Sequence, residues 1–136
     1  MDEYVVIKLK NHKEYNKKIL FVMVTCNKFD CPKNIMEEIL SVYKGYLQEN
    51  PNISTIFDTR QLNYVSPKTA WEGASMICRL NNLAKKNVLC SCIIMGSKMM
   101  KDLFNTVSKV HPVVVPYKIV DNNQDALAFV TEKMKN

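Results

Sequence analysis

Covalent catalysis needs a nucleophile, a base within hydrogen-bond reach of it and a group that orients the base. Only two histidines are present to supply the base. His12 falls in a polar stretch, and His111 precedes Pro112 at the end of a predicted helix, where an imidazole helps satisfy the last carbonyls. No Gly-x-Ser-x-Gly elbow occurs. Glu37 and Glu38 are neighbours that diverge on a helix, and Asp58 has no second acid at a readable spacing, so general acid/base work has no pair of carboxylates. Metal binding fares no better. Four residues separate Cys26 from Cys31 and one separates Cys90 from Cys92, and neither spacing makes a Cys-x-x-Cys knuckle. Cys90 and Cys92 share one face of a strand, as buried thiols do in cores; Cys31, near a helix start, is the one thiol with a reason for a lowered pKa. The expectation is a chain with no catalytic residues, metal or cofactor.

Anion binding is the chemistry that does have residues behind it. A helix N-terminus at the carboxyl end of a parallel strand presents free N–H groups and a positive dipole end. Ser66, Lys68 and Thr69 stand at one predicted helix start, and Ser97 and Lys98 at another. Ordinary helix capping accounts for the same residues. Gly96-Ser97-Lys98 lacks the rest of a P-loop, and no Gly-x-Gly-x-x-Gly is present.

The elements that place these residues follow from periodicity. Residues 4–10 and 19–25 read as strands, the polar stretch 11–18 between them making a wide antiparallel hairpin. Ile35, Met36, Ile39, Leu40, Tyr43 and Leu47 recur at helical spacing, predicting a helix over 32–49 stopped by Asn50-Pro51. A strand over 53–58 comes next. Ser66-Pro67 then gives an N-cap and a first-turn proline for a helix running to about residue 86. Residues 88–95 carry no charge, as a strand covered on both faces should. Gly96-Ser97 opens a helix holding Met99, Met100, Leu103, Phe104 and Val107; a strand over 116–120 and a helix over 124–134 close the order ββαβαβαβα. Alternation of this kind implies one mixed, mostly parallel five-stranded α/β sheet with about four helices and right-handed crossovers. The predicted core is Leu20, Val22, Ile56, Leu80, Ile93, Leu103, Ile119 and Leu127, in a single domain over 1–136.

Composition bounds the setting. At 136 residues, 47% hydrophobic and 24% charged, the chain can bury one core without staples. The net charge of +6 comes from 17 lysines and two arginines scattered along the chain, which argues against nucleic acid, whose recognition favours clustered arginine beside aromatic platforms. No basic leader precedes an apolar stretch, and the run 19–24 is too short to span a bilayer. Five cysteines, an odd number, fit reduced thiols in a cytoplasmic protein.

The segment Ile53-Ser54-Thr55-Ile56-Phe57-Asp58, followed by Leu62, Tyr64, Val65 and a helix opening at Ser66, resembles the STAS domain of sulphate transporters and anti-sigma-factor antagonists. So does the ending, Tyr117-Lys118-Ile119-Val120 and then Asp125-Ala126-Leu127-Ala128-Phe129-Val130. In that family an Asp-Ser-Ser/Thr-Gly loop at the helix start carries a phosphorylated hydroxyl that switches partner binding. The matching positions here are Ser66, Pro67, Lys68 and Thr69, without the acid or the glycine, so the resemblance does not extend to a phosphoswitch. What it implies is a non-catalytic domain that binds a protein partner through Ser66, Lys68, Thr69, Trp71 and Arg79. Two other readings fit the same residues: an assembly component of a larger particle or homo-oligomer, such as a virion protein, and a small lipid- or ligand-binding domain, for which the chain is short.

Overall fold

The computed structural model describes residues 2–25, 28–29, 31–62 and 64–135. A five-stranded sheet in the order β1-β2-β4-β6-β7 forms its centre. The hairpin of β1 (Val5–Asn11) and β2 (Lys18–Val24) is antiparallel, with Val5 opposite Val24 and Asn11 opposite Lys18. From there β4 (Ile53–Asp58) pairs parallel to β2, β6 (Val88–Ile94) to β4 and β7 (Tyr117–Val120) to β6. The middle strand is therefore β4, with β6 beside it, and both are internal. A second, two-stranded parallel sheet joins β3 (Lys28–Phe29) to β5 (Tyr64–Val65).

Strand alternation sends side chains to two cores. Ile19, Ile56, Cys90, Cys92 and Ile94 face α5 (Asn123–Met134), which meets them with Ala126, Val130 and Met134. On the opposite face Leu20, Val22, Ile53 and Val88 lie under Tyr43 and Leu47 of α1 (Lys33–Glu49) and the Leu80 corner. Farther along that face Ile93 and Met95 meet Met100, Leu103 and Phe104 of α4 (Lys98–Ser108). Full burial of one such aliphatic side chain contributes roughly 1.5–3 kcal/mol, so the two interfaces account for most of what holds the helices to the sheet.

The helix expected over 66–86 is two helices, α2 (Pro67–Cys78) and α3 (Asn81–Asn87), making five in all among the described residues. Two tight bonds, Arg79 N–H to the Met76 carbonyl (3.1 Å) and Leu80 N–H to the Ile77 carbonyl (2.9 Å), close α2 with a 3₁₀-like turn. Leu80 then drops into the core, and its carbonyl accepts the Ala84 N–H (2.8 Å) to start α3. Asn81-Asn82 at the corner are weak helix formers, so little opposes the break. At the far end of α3 the buried Asn87 donates to the Leu47 carbonyl (2.6 Å), tying α3 to the last turn of α1.

Leu20, Val22, Ile56, Leu80 and Ile93 are buried as expected, and Leu103 and Ile119 are partly buried. Leu127 is not core: it is 42% exposed, because α5 presents Ala126, Val130 and Met134 to the sheet, a stripe offset by one position.

Candidate functional site

All the parallel strands end at one edge of the sheet, and the loops after β4 and β6 meet there. Thr59 bridges them, its N–H (3.0 Å) and hydroxyl (2.7 Å) both donating to the Ile94 carbonyl. Beside it Asp58 and Arg60 form a two-pronged pair, Nε to Oδ1 at 3.0 Å and Nη2 to Oδ2 at 2.7 Å. The guanidinium's hydrogen bond is the main reason the Asp58 carboxyl sits below its usual pKa, with burial opposing it and an N–H bond from Arg60 assisting. Arg60, Thr59, Ser97 and Met100 line a shallow depression at this edge. The sequence reading missed Arg60. Its only signal was an arginine, one of two in a lysine-rich chain, two residues after a strand-terminal acid.

Ser66 is the N-cap of α2. Its oxygen accepts the Thr69 N–H (3.1 Å) and its hydroxyl donates to Thr69 Oγ1 (2.9 Å), while Pro67 takes the first helical position. Both hydroxyls at that helix start are thus engaged with each other, and Lys68 is left exposed. Farther along α2 Trp71 is 44% exposed and meets His111 edge to face, ring centroids 4.7 Å apart. Arg79, just past the helix, pairs with Glu37 of α1 at 3.0 Å on the surface. The second predicted site is also a cap: Ser97 accepts the Met100 N–H at 3.4 Å, and Lys98 stands 4.0 Å from Asp102. Ser66, Lys68, Thr69, Trp71 and Arg79 therefore follow one helix, and Ser97 and Lys98 belong to a separate one.

The remaining candidates have structural partners. His12 accepts the Glu14 N–H at Nδ1 (3.1 Å), which leaves Nε2 to donate to Thr131 (3.0 Å), so the hairpin loop is fastened to α5. Burial raises both strand thiols: Cys90, which also contacts the Ser54 hydroxyl, moves up, and Cys92 is pushed up to about 11 with the neighbouring Cys90 adding to the effect. Cys78, Cys90 and Cys92 carry no disulfide. Cys31 is buried, with Sγ 3.6 Å from the Pro32 carbonyl, and Cys26 lies outside the described residues. Among the described residues no three His, Cys, Asp or Glu side chains converge as metal ligands would, and no helix is long and apolar enough to cross a membrane.

No protein-family profile and no curated protein sequence matches the chain. Among solved structures it is similar to an uncharacterised protein of the DUF3478 family from Shewanella loihica with a SpoIIAA-like fold. That likeness has a TM-score of 0.65 and covers 93% of this chain and 94% of the other at 16% identity. The fold of this chain is therefore SpoIIAA-like, the STAS-like architecture that the strand-end Asp58 and the order of elements suggested.

Proposed function

We propose that the chain is a non-catalytic protein-interaction domain whose contact face is α2 with the loop that leads into it. The observation that supports this most is the way α2 sits on the molecule. None of its residues is fully buried, and it holds two of the large exposed hydrophobic side chains, Trp71 and Ile77, at 44% and 47%. Aromatic anchors of this kind carry a large share of binding energy at protein interfaces. Exposed Lys68 adds positive charge at the helix start, while Arg79 beyond its end is already paired with Glu37, so an apolar surface with an acidic group opposite Lys68 is the matching partner. In this reading the thiols stay reduced and the protein works in the cytoplasm.

The test is a partner captured from native extract by the wild-type chain and then measured with purified components. Trp71→Ala should weaken that binding at least tenfold and Lys68→Glu severalfold, with melting temperatures near the wild-type value. Undiminished binding by both variants would remove α2 as the contact face.

A further inference from the structure

The sheet ends at β1, whose outer side pairs with no strand among the described residues. Two bonds that flank the hairpin identify which of its backbone groups are free: the Tyr4 carbonyl accepts the Thr25 N–H at 2.9 Å, and the His12 N–H donates to the Lys17 carbonyl at 2.7 Å. Both continue the register that sets Val5 opposite Val24 and Asn11 opposite Lys18. Bonded and non-bonded residues alternate along an antiparallel pair, so Val6, Lys8 and Lys10 bond to β2, while Val5, Ile7, Leu9 and Asn11 turn their N–H and C=O groups outward. Val5 is only 4% exposed, which closes the edge at that end. Ile7 and Leu9 are partly buried and Asn11 is exposed, so the open stretch runs from Ile7 to Asn11. Its two faces differ in chemistry. Ile7 and Leu9 lie opposite Val22 and Leu20 and extend the core under α1. Lys8 and Lys10 lie opposite Phe21 and Ile19 on the α5 side; both are exposed, and neither pairs with an acid among the described residues. Lys10 rests over Phe21, its Nζ 5.2 Å from the ring centre.

We propose that this edge takes a strand from another protein, an extended segment in which apolar residues alternate with acidic ones. Main-chain groups supply the affinity in such strand addition and alternate side chains supply the choice. Here apolar side chains of the guest extend the row of Ile7 and Leu9, and its carboxylates stand against Lys8 and Lys10. The same lysines turn away a second copy of the chain. Antiparallel pairing that sets Leu9 against Leu9 of the copy puts Lys8 opposite its Lys10, and pairing that sets Ile7 against its Leu9 puts Lys8 opposite Lys8; like charges directly opposite each other destabilise a sheet. Lysine on an edge strand guards against self-association, and an acidic guest converts that repulsion into attraction. The edge lies on β1, so it operates whether or not α2 is a contact face.

The test uses a capped synthetic peptide alternating valine and glutamate and its counterpart alternating valine and lysine, each titrated into the full chain and followed by amide NMR shifts and hydrogen exchange. The glutamate peptide should saturate, with the Ile7, Leu9 and Asn11 amides shifted and slowed in exchange at least tenfold, and with an affinity at least tenfold above that of the lysine peptide. N-methylation of its valines, whose N–H groups point at β1 in this pairing, should abolish binding. The double variant Lys8→Glu, Lys10→Glu changes only exposed positions, so it should fold and should reverse the preference between the two peptides. No saturation at millimolar glutamate peptide would overturn the proposal, as would equal affinity for both peptides, undiminished binding of the N-methylated form, or a preference that survives the double variant. Protection of the Ile7 and Leu9 amides that grows with the concentration of the chain alone would also overturn it and give the edge to a second copy.

Discussion

Replacing Ser66 with alanine tests how α2 is held. The substitution deletes the acceptor for the Thr69 N–H at 3.1 Å and the hydroxyl bond to Thr69 at 2.9 Å, while Pro67 keeps the first helical position preset. Loss of an N-cap of this type costs about 1 kcal/mol. Where that cost appears depends on how α2 is anchored. With no fully buried side chain the helix can open without disturbing the sheet, so the cost should fall on local opening. Hydrogen exchange read residue by residue should then show amides of the second half of α2 exchanging about fivefold faster, the factor that about 1 kcal/mol gives. Amides of β4 and β6 should keep their rates, and the melting temperature should fall by less than the roughly 3–5 °C that a global loss of this size would cause in a domain of similar length. Ser97→Ala is the comparison, because α4 buries Met100 and Val107 and its loosening has to pass through the core. Equal acceleration across α2, β4 and β6 in Ser66→Ala would refute local opening and with it the picture of α2 as an adaptable contact face.

The other expectations concern the core, the thiols and the strand-end pair. Ile94→Ala, at a fully buried site against α5, should cost about 2–5 kcal/mol in urea unfolding, whereas Leu127→Ala on the exposed side of the same helix should stay within about 0.5 kcal/mol. Alkylation of the native protein at pH 8 should modify Cys78 and spare Cys90 and Cys92, which are buried and have raised pKa values; peptide mass mapping before and after unfolding checks this. Carbon-detected NMR titration should place the Asp58 carboxyl below the ordinary value of about 3.9 and return it towards that value in Arg60→Met. Because the folded pKa is lowered, the pair stabilises the fold above the unfolded value and loses that contribution as pH falls through the folded one. With the Arg60 side chain 40% exposed, the contribution is at most about 1 kcal/mol.

The main elements were legible because each carried a strong local signal. The segment 53–58 showed a strand ending in Asp58, Ser66-Pro67 and Ser97 showed their caps, and the uncharged run at 88–95 showed a strand covered on both faces. The errors came where tertiary structure overrides such signals. The break at Arg79-Leu80 is set by where Leu80 is buried, and a single chain without its neighbours still reads as one continuous helix there. Leu127 looked like core on hydrophobicity, but the sheet takes up Ala126 and Val130 instead, and a stripe displaced by one position on a helix turns it about 100°. The two-residue strands β3 and β5 are too short to show any period.

The site was harder to read than the fold because its residues acquire meaning only from long-range neighbours. Ser66 and Ser97 were visible as caps, and caps they are, with Thr69 supplying the N–H that Ser66 accepts; whether a helix start has a further use depends on what its loop faces, which local sequence does not encode. His111 makes the point most clearly. In sequence it is a histidine before a proline at a helix end, and the obvious role is to satisfy terminal carbonyls. In the fold it meets Trp71, forty residues earlier, and it lines an apolar cleft to which α1, α2, α3, α4, β4 and β6 all contribute, with one nitrogen buried and unpaired among the described residues. Each of those facts depends on the strand order β4-β6-β7 and on the break between α2 and α3, which lets the chain wrap the cleft instead of passing straight over it. The corner at Leu80 is therefore the feature that links fold to site: Leu80→Gly would lose a buried side chain and the anchor of that corner together. It should lower the stability of the chain and loosen the corner between α2 and α3 in one step, while Trp71→Ala should alter partner binding and leave the strands intact.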